Sequence, residues 1–151
     1  MGSENLEISI ITVCYNAEKT IEKTIKSIIS QTYKYIEYII IDSASTDGTL
    51  NIIKRYKDNI DVFISEKDNG IYDAMNKGIK LSSGDILYFL NADDLFYNKS
   101  IVEKIVKVFI ENPTKKIVYG KIVVSNNTLP NTNLSQQHNP YLKNKIDLFV
   151  K

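Results

Sequence analysis

A chain of 151 residues with 19 Lys+Arg against 18 Asp+Glu is long enough for one domain around one buried core, and its near-neutral charge gives no basic surface for nucleic acid. One cysteine, Cys14, excludes an internal disulfide and fits a reducing compartment. No apolar run approaches the roughly 18 residues of a membrane span and no signal-peptide pattern opens the chain, so a cytoplasmic protein is expected. Residues 1–7 read as a cloning remnant, Met1-Gly2-Ser3, followed by an N-terminal lead outside the fold.

Ile8 to Cys14 is β-branched with little polar alternation, the pattern of a central, parallel strand buried on both faces. Ile21, Ile25, Ile28 and Ile29 then recur at helical spacing, with Asn16 placed to cap the helix. The unit repeats. A strand over Ile36 to Ile41 runs into the polar turn Asp42 to Thr49 and a helix carrying Leu50, Ile53 and Tyr56. A short strand over Ile60 to Ser65 precedes Asp68-Asn69-Gly70 and a helix with Ile71, Met75 and Ile79 on one face and Asp73, Asn76 and Lys77 on another. Ser82-Ser83-Gly84 breaks the chain before the apolar run Ile86 to Leu90, which stops at Asn91-Ala92-Asp93-Asp94. Ile101, Ile105, Val108 and Phe109 mark a further helix closed by Pro113, and Ile117 to Val124 a last strand. From Ser125 the composition turns to Asn, Gln and Pro, a polar loop or tail, with a short helix expected around Leu142, Ile146 and Phe149. Alternating strands and helices predict an α/β fold: a Rossmann-like, open, mostly parallel sheet flanked by helices, with ligands beyond the carboxyl ends of the strands.

Every strand ends at a polar cluster, and parallel strands bring those ends to one edge. Tyr15 offers an aromatic face for stacking, and Asp42 a carboxylate able to accept a hydrogen bond from a base N–H. Two adjacent carboxylates, Asp93 and Asp94, repel one another and suit a hard divalent ion such as Mg2+ or Mn2+, which in turn holds phosphates. Together these groups describe a site for a nucleoside diphosphate. Neither common glycine-rich phosphate cradle occurs in the sequence.

The segments Ile10 to Asn16, Asp42 to Thr49, Glu66 to Gly78 and Leu90 to Asp94 resemble, in order, the successive signatures of family 2 glycosyltransferases. The resemblance covers about the first four fifths of the chain. It implies a GT-A fold, a nucleotide-diphospho-sugar donor (a UDP-sugar is expected), a divalent metal, inversion at the anomeric carbon, and a saccharide or lipid-linked hydroxyl acceptor, as in surface polysaccharide synthesis. Tyr15 and Asn16 would then contact the donor, with Asp42 on the base edge, Asp73 and Asn76 nearby, and Asn91 and Ala92 beside the metal acids Asp93 and Asp94 of the D-x-D motif. Asn91 replaces the first acid of that motif and brings no charge. Residues 8–124 would form the nucleotide-sugar-binding core. Residues 125–151 would begin an acceptor half, with the catalytic base beyond Lys151 and the chain a truncated enzyme peripheral to the inner face of the membrane.

Two other classes compete. One is a donor-binding module without turnover. The other is a haloacid-dehalogenase-like phosphatase, echoed by Ser45-Thr46-Asp47-Gly48-Thr49, which lacks the nucleophilic carboxylate because Ser45 stands in its place. Plainer roles are expected for Asp47 as a first-turn helix residue, for Asp73 with Lys77 as an exposed ion pair, and for Cys14 as a small buried side chain.

Overall fold

Seven consecutive residues of Ile8–Cys14 (β1) are all buried, which a strand achieves only at the centre of a sheet covered on both faces. The computed structural model describes residues 5–118 and 148–150. After β1 come α1 (Ile21–Ile29), β2 (Ile36–Asp42), α2 (Thr49–Arg55), a single 3-10 turn at Lys57–Asn59, β3 (Val62–Ser65), α3 (Ile71–Leu81), β4 (Ile86–Phe89), α4 (Ile101–Glu111), β5 (Ile117–Val118) and β6 (Leu148–Val150). The sheet order is β3-β2-β1-β4-β6-β5. β1, β2, β3 and β4 are parallel, with Ile8 opposite Ile36 on one side and Ile86 on the other.

The two-residue period of a strand divides the core into two layers. Ile8, Ile10 and Cys14 of β1 pack with Ile21, Ile25 and Ile28 of α1, Ile53 of α2 and Val102, Val106 and Phe109 of α4. Ile11 and Val13 point the opposite way, onto Ala74 of α3. The helices are turned slightly from their expected faces. On α4 the buried stripe is Val102, Val106 and Phe109, while Val108 is exposed; on α3 it centres on Ala74 and Gly78, while Ile71 is half exposed. The reason on α3 is close approach: a Cβ at Gly78 would lie 2.5 Å from Cγ2 of Ile11, so the helix seats its small residues on the sheet and turns its larger ones aside.

The far side of the sheet departs from the expected parallel pattern. β6 pairs antiparallel with β4, and β5 antiparallel with β6. The helix expected around Phe149 is therefore overturned at its carboxyl end, because the open edge of β4 offers unpaired backbone donors and acceptors to a β-compatible Leu-Phe-Val segment. The strand expected over Ile117 to Val124 is seen at Ile117–Val118; residues 119–124, the polar stretch after them and Leu142 and Ile146 lie outside the described residues. Among the described residues no helix is long and apolar enough to cross a membrane.

At the amino ends of the strands one carboxylate ties three segments together. Glu37 on β2 accepts from the Ser9 hydroxyl (2.5 Å), the Ser83 amide (2.8 Å) and the Ser83 hydroxyl (2.7 Å), while the Gly84 amide donates to Ser9 Oγ (2.9 Å). Partial burial pushes the Glu37 pKa up, but hydrogen bonds from Ser9, Ser83 and Gly84 outweigh it and leave the group below its usual value. A depressed carboxylate stabilises the fold above its unfolded pKa and loses that contribution as pH falls through the folded one. Glu37→Gln is therefore expected to be less stable than the parent at pH 7, with the difference shrinking toward zero below about pH 4, as read by urea unfolding at a series of pH values. Gly78→Ala should lower stability by about 1–3 kcal/mol through overpacking against Ile11, partly offset by alanine's helix preference. An unchanged urea midpoint for Gly78→Ala would show that α3 can lift from β1 without loss.

Candidate functional site

The chain crosses β1 in both directions: β2 lies on one side and β4 on the other, so the loops after β1 and β4 diverge and leave a crevice at their carboxyl ends. Two adjoining cavities open there, of about 690 and 580 Å³, sharing Val13, Cys14, Tyr15 and Ile71 as walls. The larger reaches Asn16, Lys19, Asn91, Ala92 and Asp93. The smaller reaches Ser43, Ala44, Lys67 and Asp68. Tyr15, 61% exposed, stands between them with its ring free to stack.

The loop after β1 is laced to the loop after β2. The Asn16 amide donates to Ser45 Oγ (2.8 Å), the Ala17 amide to Thr49 Oγ1 (2.7 Å) and the Glu18 amide to Asp47 Oδ2 (3.1 Å). In return, the Thr46 amide donates to Asn16 Oδ1 (2.8 Å) and the Gly48 amide to Glu18 Oε2 (2.8 Å). Asn16 is thus a rim residue with its side-chain oxygen already engaged, in a left-handed conformation (φ 49°). It does not cap α1, which starts after Thr20, because the lacing holds the intervening residues out of helical register. Asp47 is not in the first turn of α2 as expected but two residues before the helix, where it accepts from the Thr49 amide (3.0 Å) and hydroxyl (2.5 Å).

Asp42 is the main correction. Its side chain is fully buried and accepts from the Ser45 amide (2.9 Å), the Ser45 hydroxyl (2.5 Å), the Ser65 hydroxyl (2.6 Å) and, weakly, the Cys14 thiol (3.5 Å). A carboxylate has about four acceptor sites. Asp42 offers none to a ligand; it closes the turn and pins the carboxyl ends of β1, β2 and β3. Burial and the neighbouring Asp42 charge push the Cys14 thiol far up, so it stays protonated as a small core group.

Asp73 and Asn76 line neither cavity. Asp73 Oδ2 instead accepts from the Asn69 amide (3.1 Å) and lies 3.7 Å from the Lys77 ammonium. Lys77 is not merely the partner of Asp73: it sits 2.9 Å from Glu66 and donates to the Lys67 carbonyl (3.2 Å), so α3 grips the 66–70 segment.

The acidic cup after β4 is held from below by a residue the sequence pattern hid. Thr24, fully buried on α1, shares its single hydroxyl proton between the Ala92 and Asp94 carbonyls (2.9 Å each), and the Asp94 amide closes a turn onto the Asn91 carbonyl (3.0 Å). A polar residue on the apolar stripe formed by Ile21, Ile25 and Ile28 was the available signal. Partial burial and the adjacent Asp93 charge raise the Asp94 pKa, opposed by a hydrogen bond from the Asn91 amide. Asn91 Oδ1 is buried with no hydrogen-bond partner. An orphaned carbonyl oxygen beside two carboxylates is a donor set that fits a hard, oxygen-seeking divalent cation. No cluster of three or more acidic, His or Cys side chains able to hold a metal occurs among the described residues, which leaves any remaining ligands to water or phosphate.

Comparison with known proteins agrees with this fold. The family described as Glycosyl transferase family 2 matches residues 9–151. A PGL/p-HBAD biosynthesis glycosyltransferase of Mycobacterium bovis is 32% identical over 119 residues, covering 77% of this chain and 46% of that protein. The putative teichuronic acid biosynthesis glycosyltransferase TuaG of Bacillus subtilis is 36% identical over 107 residues, covering 69% and 42%. The chain thus spans less than half the length of these curated relatives. Among solved structures, mannosyltransferase PcManGT from Pyrobaculum calidifontis, in complex with GDP-Man and Mn2+, superposes with a TM-score of 0.70 at 25% identity, over 76% of this chain and 35% of that one. TarS 1-349 of S. aureus superposes with a TM-score of 0.75 at 22% identity, over 96% and 45%, and shares the GT-A fold.

Replacing the buried fastener tests the correction. Asp42→Asn puts an NH2 either against the Ser45 amide and Ser65 hydroxyl or against the Ser45 hydroxyl and Cys14 thiol, and is expected to cost about 1–3 kcal/mol in urea unfolding. A variant as stable as the parent would show that the turn does not depend on this carboxylate.

Proposed function

The chain belongs to glycosyl transferase family 2, and from that premise we propose that it supplies the donor-binding half of a glycosyltransferase that moves a sugar from a nucleotide-diphospho-sugar to a hydroxyl acceptor in surface polysaccharide or glycolipid synthesis, with inversion. The observation that carries this reading is the pairing of the two cavities across Tyr15: an aromatic and apolar wall on one side, an acidic cup with an orphaned oxygen on the other. That division suits a ligand with a flat base at one end and a diphosphate at the other. Residues 8–124 would be the nucleotide-sugar core, with residues 125–151 leading toward the acceptor side.

In this reading Tyr15 stacks the base and Ile71 closes the wall shared by the two cavities. Asp93 and Asp94 would hold Mg2+ or Mn2+ with Asn91 Oδ1, by analogy with the Mn2+ in the mannosyltransferase complex. When bound, such an ion offsets the diphosphate charge and so eases departure of the leaving group. Asn91 also steadies Asp94 by its amide, and Thr24 fixes the cup's backbone so that its acids need not reorganise. Lys19, on the rim of the larger cavity, adds a positive charge on the phosphate side.

Asp93→Ala is expected to abolish Mn2+-dependent binding of nucleoside diphosphates, measured by calorimetry with UDP and GDP with and without the metal. The melting temperature should move by no more than a few degrees, since Asp93 is exposed. Retention of metal-dependent binding in that variant would remove the cup from the site.

A further inference from the structure

We infer that one polar edge of α1, formed by Thr24, Ser27 and, just past the helix, Gln31, is a single positioning element for the acidic cup, and that it sets how tightly the cup takes a divalent cation. This rests on the cation reading of Asn91, Asp93 and Asp94 and deepens it.

The loop from β4 to α4 that carries the cup contains no helix or strand of its own. Along it, backbone groups are taken one after another by the same edge of α1. Thr24 shares its hydroxyl proton between the Ala92 and Asp94 carbonyls. Ser27 Oγ accepts from the Phe96 amide (3.4 Å) while donating to the Thr24 carbonyl (2.8 Å). Gln31 Nε2 donates to the Asn98 carbonyl (2.9 Å) and back to the Ser27 carbonyl (3.0 Å), and its Oε1 accepts from the Val102 amide (3.1 Å). Positions 24 and 27 share one side of the helix, and Gln31 continues that side past its end. Between these bonds the buried Phe96 packs on Tyr88, with ring centroids 5.1 Å apart, and pins the middle of the loop to the core.

Two features separate this arrangement from ordinary loop packing. The side chain of Ser100, at the start of α4, makes no cap bond; the Val102 amide in the first turn of α4 is satisfied by Gln31 instead. Moreover, α1 holds both walls of the larger cavity: Lys19 and Thr20 lie immediately before the helix, and Ala92 is bound in its first turn by Thr24. The distance from the cup to the loop after β1 is therefore set by one helix. Asp93 and Asp94, side by side, repel one another and would spread an untethered loop; bonds to their backbone keep them together without the cation.

Electron paramagnetic resonance of Mn2+, titrated into the chain with UDP or GDP present, reads the affinity of the cup. Thr24→Val keeps the side-chain shape and removes the hydroxyl; it should weaken Mn2+ about tenfold, the low end of what outer contacts of a metal site contribute, and Thr24→Ser should restore it. Gln31→Met should weaken Mn2+ several-fold, and because Gln31 is only partly buried this variant tests the same element where Thr24→Val fails to fold. Glu37→Gln, destabilised at the opposite edge of the sheet, should bind Mn2+ as the parent does, which separates positioning from loss of stability. Amide exchange at Asp94, measured without metal against that of β1, should quicken in Thr24→Val and stay unchanged in Glu37→Gln. Parent Mn2+ affinity in either Thr24→Val or Gln31→Met, or an equal loss in Glu37→Gln, overturns the inference while leaving the cup as a cation site. If the unaltered chain binds no Mn2+ with either nucleotide, the cation reading falls and this inference with it.

Discussion

The carboxylate of Asp42 is the point on which the site depends. It is buried at the end of β2 and gathers donors from Ser45 in the following turn, Ser65 at the end of β3 and Cys14 at the end of β1. An ionised group out of water is tolerable only when its acceptor sites are filled, so the requirement to satisfy it forces three strand ends and one loop into a single arrangement. The Ser45 hydroxyl that feeds Asp42 also accepts from the Asn16 amide, which passes the constraint to the loop after β1. The carboxyl edge of the sheet is thereby tied together by the chain's own hydrogen bonds.

A second consequence concerns which polar atoms remain open. Most of the polar side chains around the crevice are consumed in holding loops: Asn16 on Thr46, Asp47 on Thr49, Glu18 on Gly48, Asp73 on Asn69. Among the described residues, groups left open there include the Tyr15 ring, the Lys19 ammonium, part of Asp68, the carboxylate of Asp93 and the unpartnered oxygen of Asn91. These lie on the walls of the two cavities or beside them, so the unsatisfied groups coincide with the space available for a ligand. Such coincidence separates a binding surface from a merely polar loop.

That distinction also marks how far the sequence could be read. The parallel α/β core was legible because Ile8–Cys14 and Ile36–Asp42 are long β-branched runs each followed by a helical apolar pattern, and burial of both faces leaves a signal that neighbours cannot disguise. The cup was legible for the same reason: Asn91 to Asp94 follow directly on an apolar strand. The full surroundings of Asp42 and Asp73 were not legible, since an acid at a strand end or helix start looks alike in sequence whether it faces a ligand or the chain's own amides; only the Asp73–Lys77 pair could be read from spacing. Ser65 becomes visible as a partner of Asp42 only once β2 and β3 are in register, and Asn69 as a partner of Asp73 only once the turn before α3 is formed. Thr24 was hidden by its place on the apolar face of α1, and the antiparallel strand Leu148–Val150 by pairing with β4, an edge far back in the chain.

The same reasoning gives a physical meaning to the amide at position 91. Two carboxylates already share the turn after β4, and burial together with the Asp93 charge has raised the Asp94 pKa without any cation present. A third carboxylate at 91 would add repulsion in a place that water reaches poorly, and would remove the N–H that steadies Asp94. In a metal-free chain an asparagine therefore lowers the strain of the cup. Its oxygen still faces the same space as a neutral ligand, left without a partner and so costly until one is supplied. The amide at 91 thus keeps an oxygen of the kind a hard cation takes and leaves out a charge that the two neighbouring carboxylates would oppose.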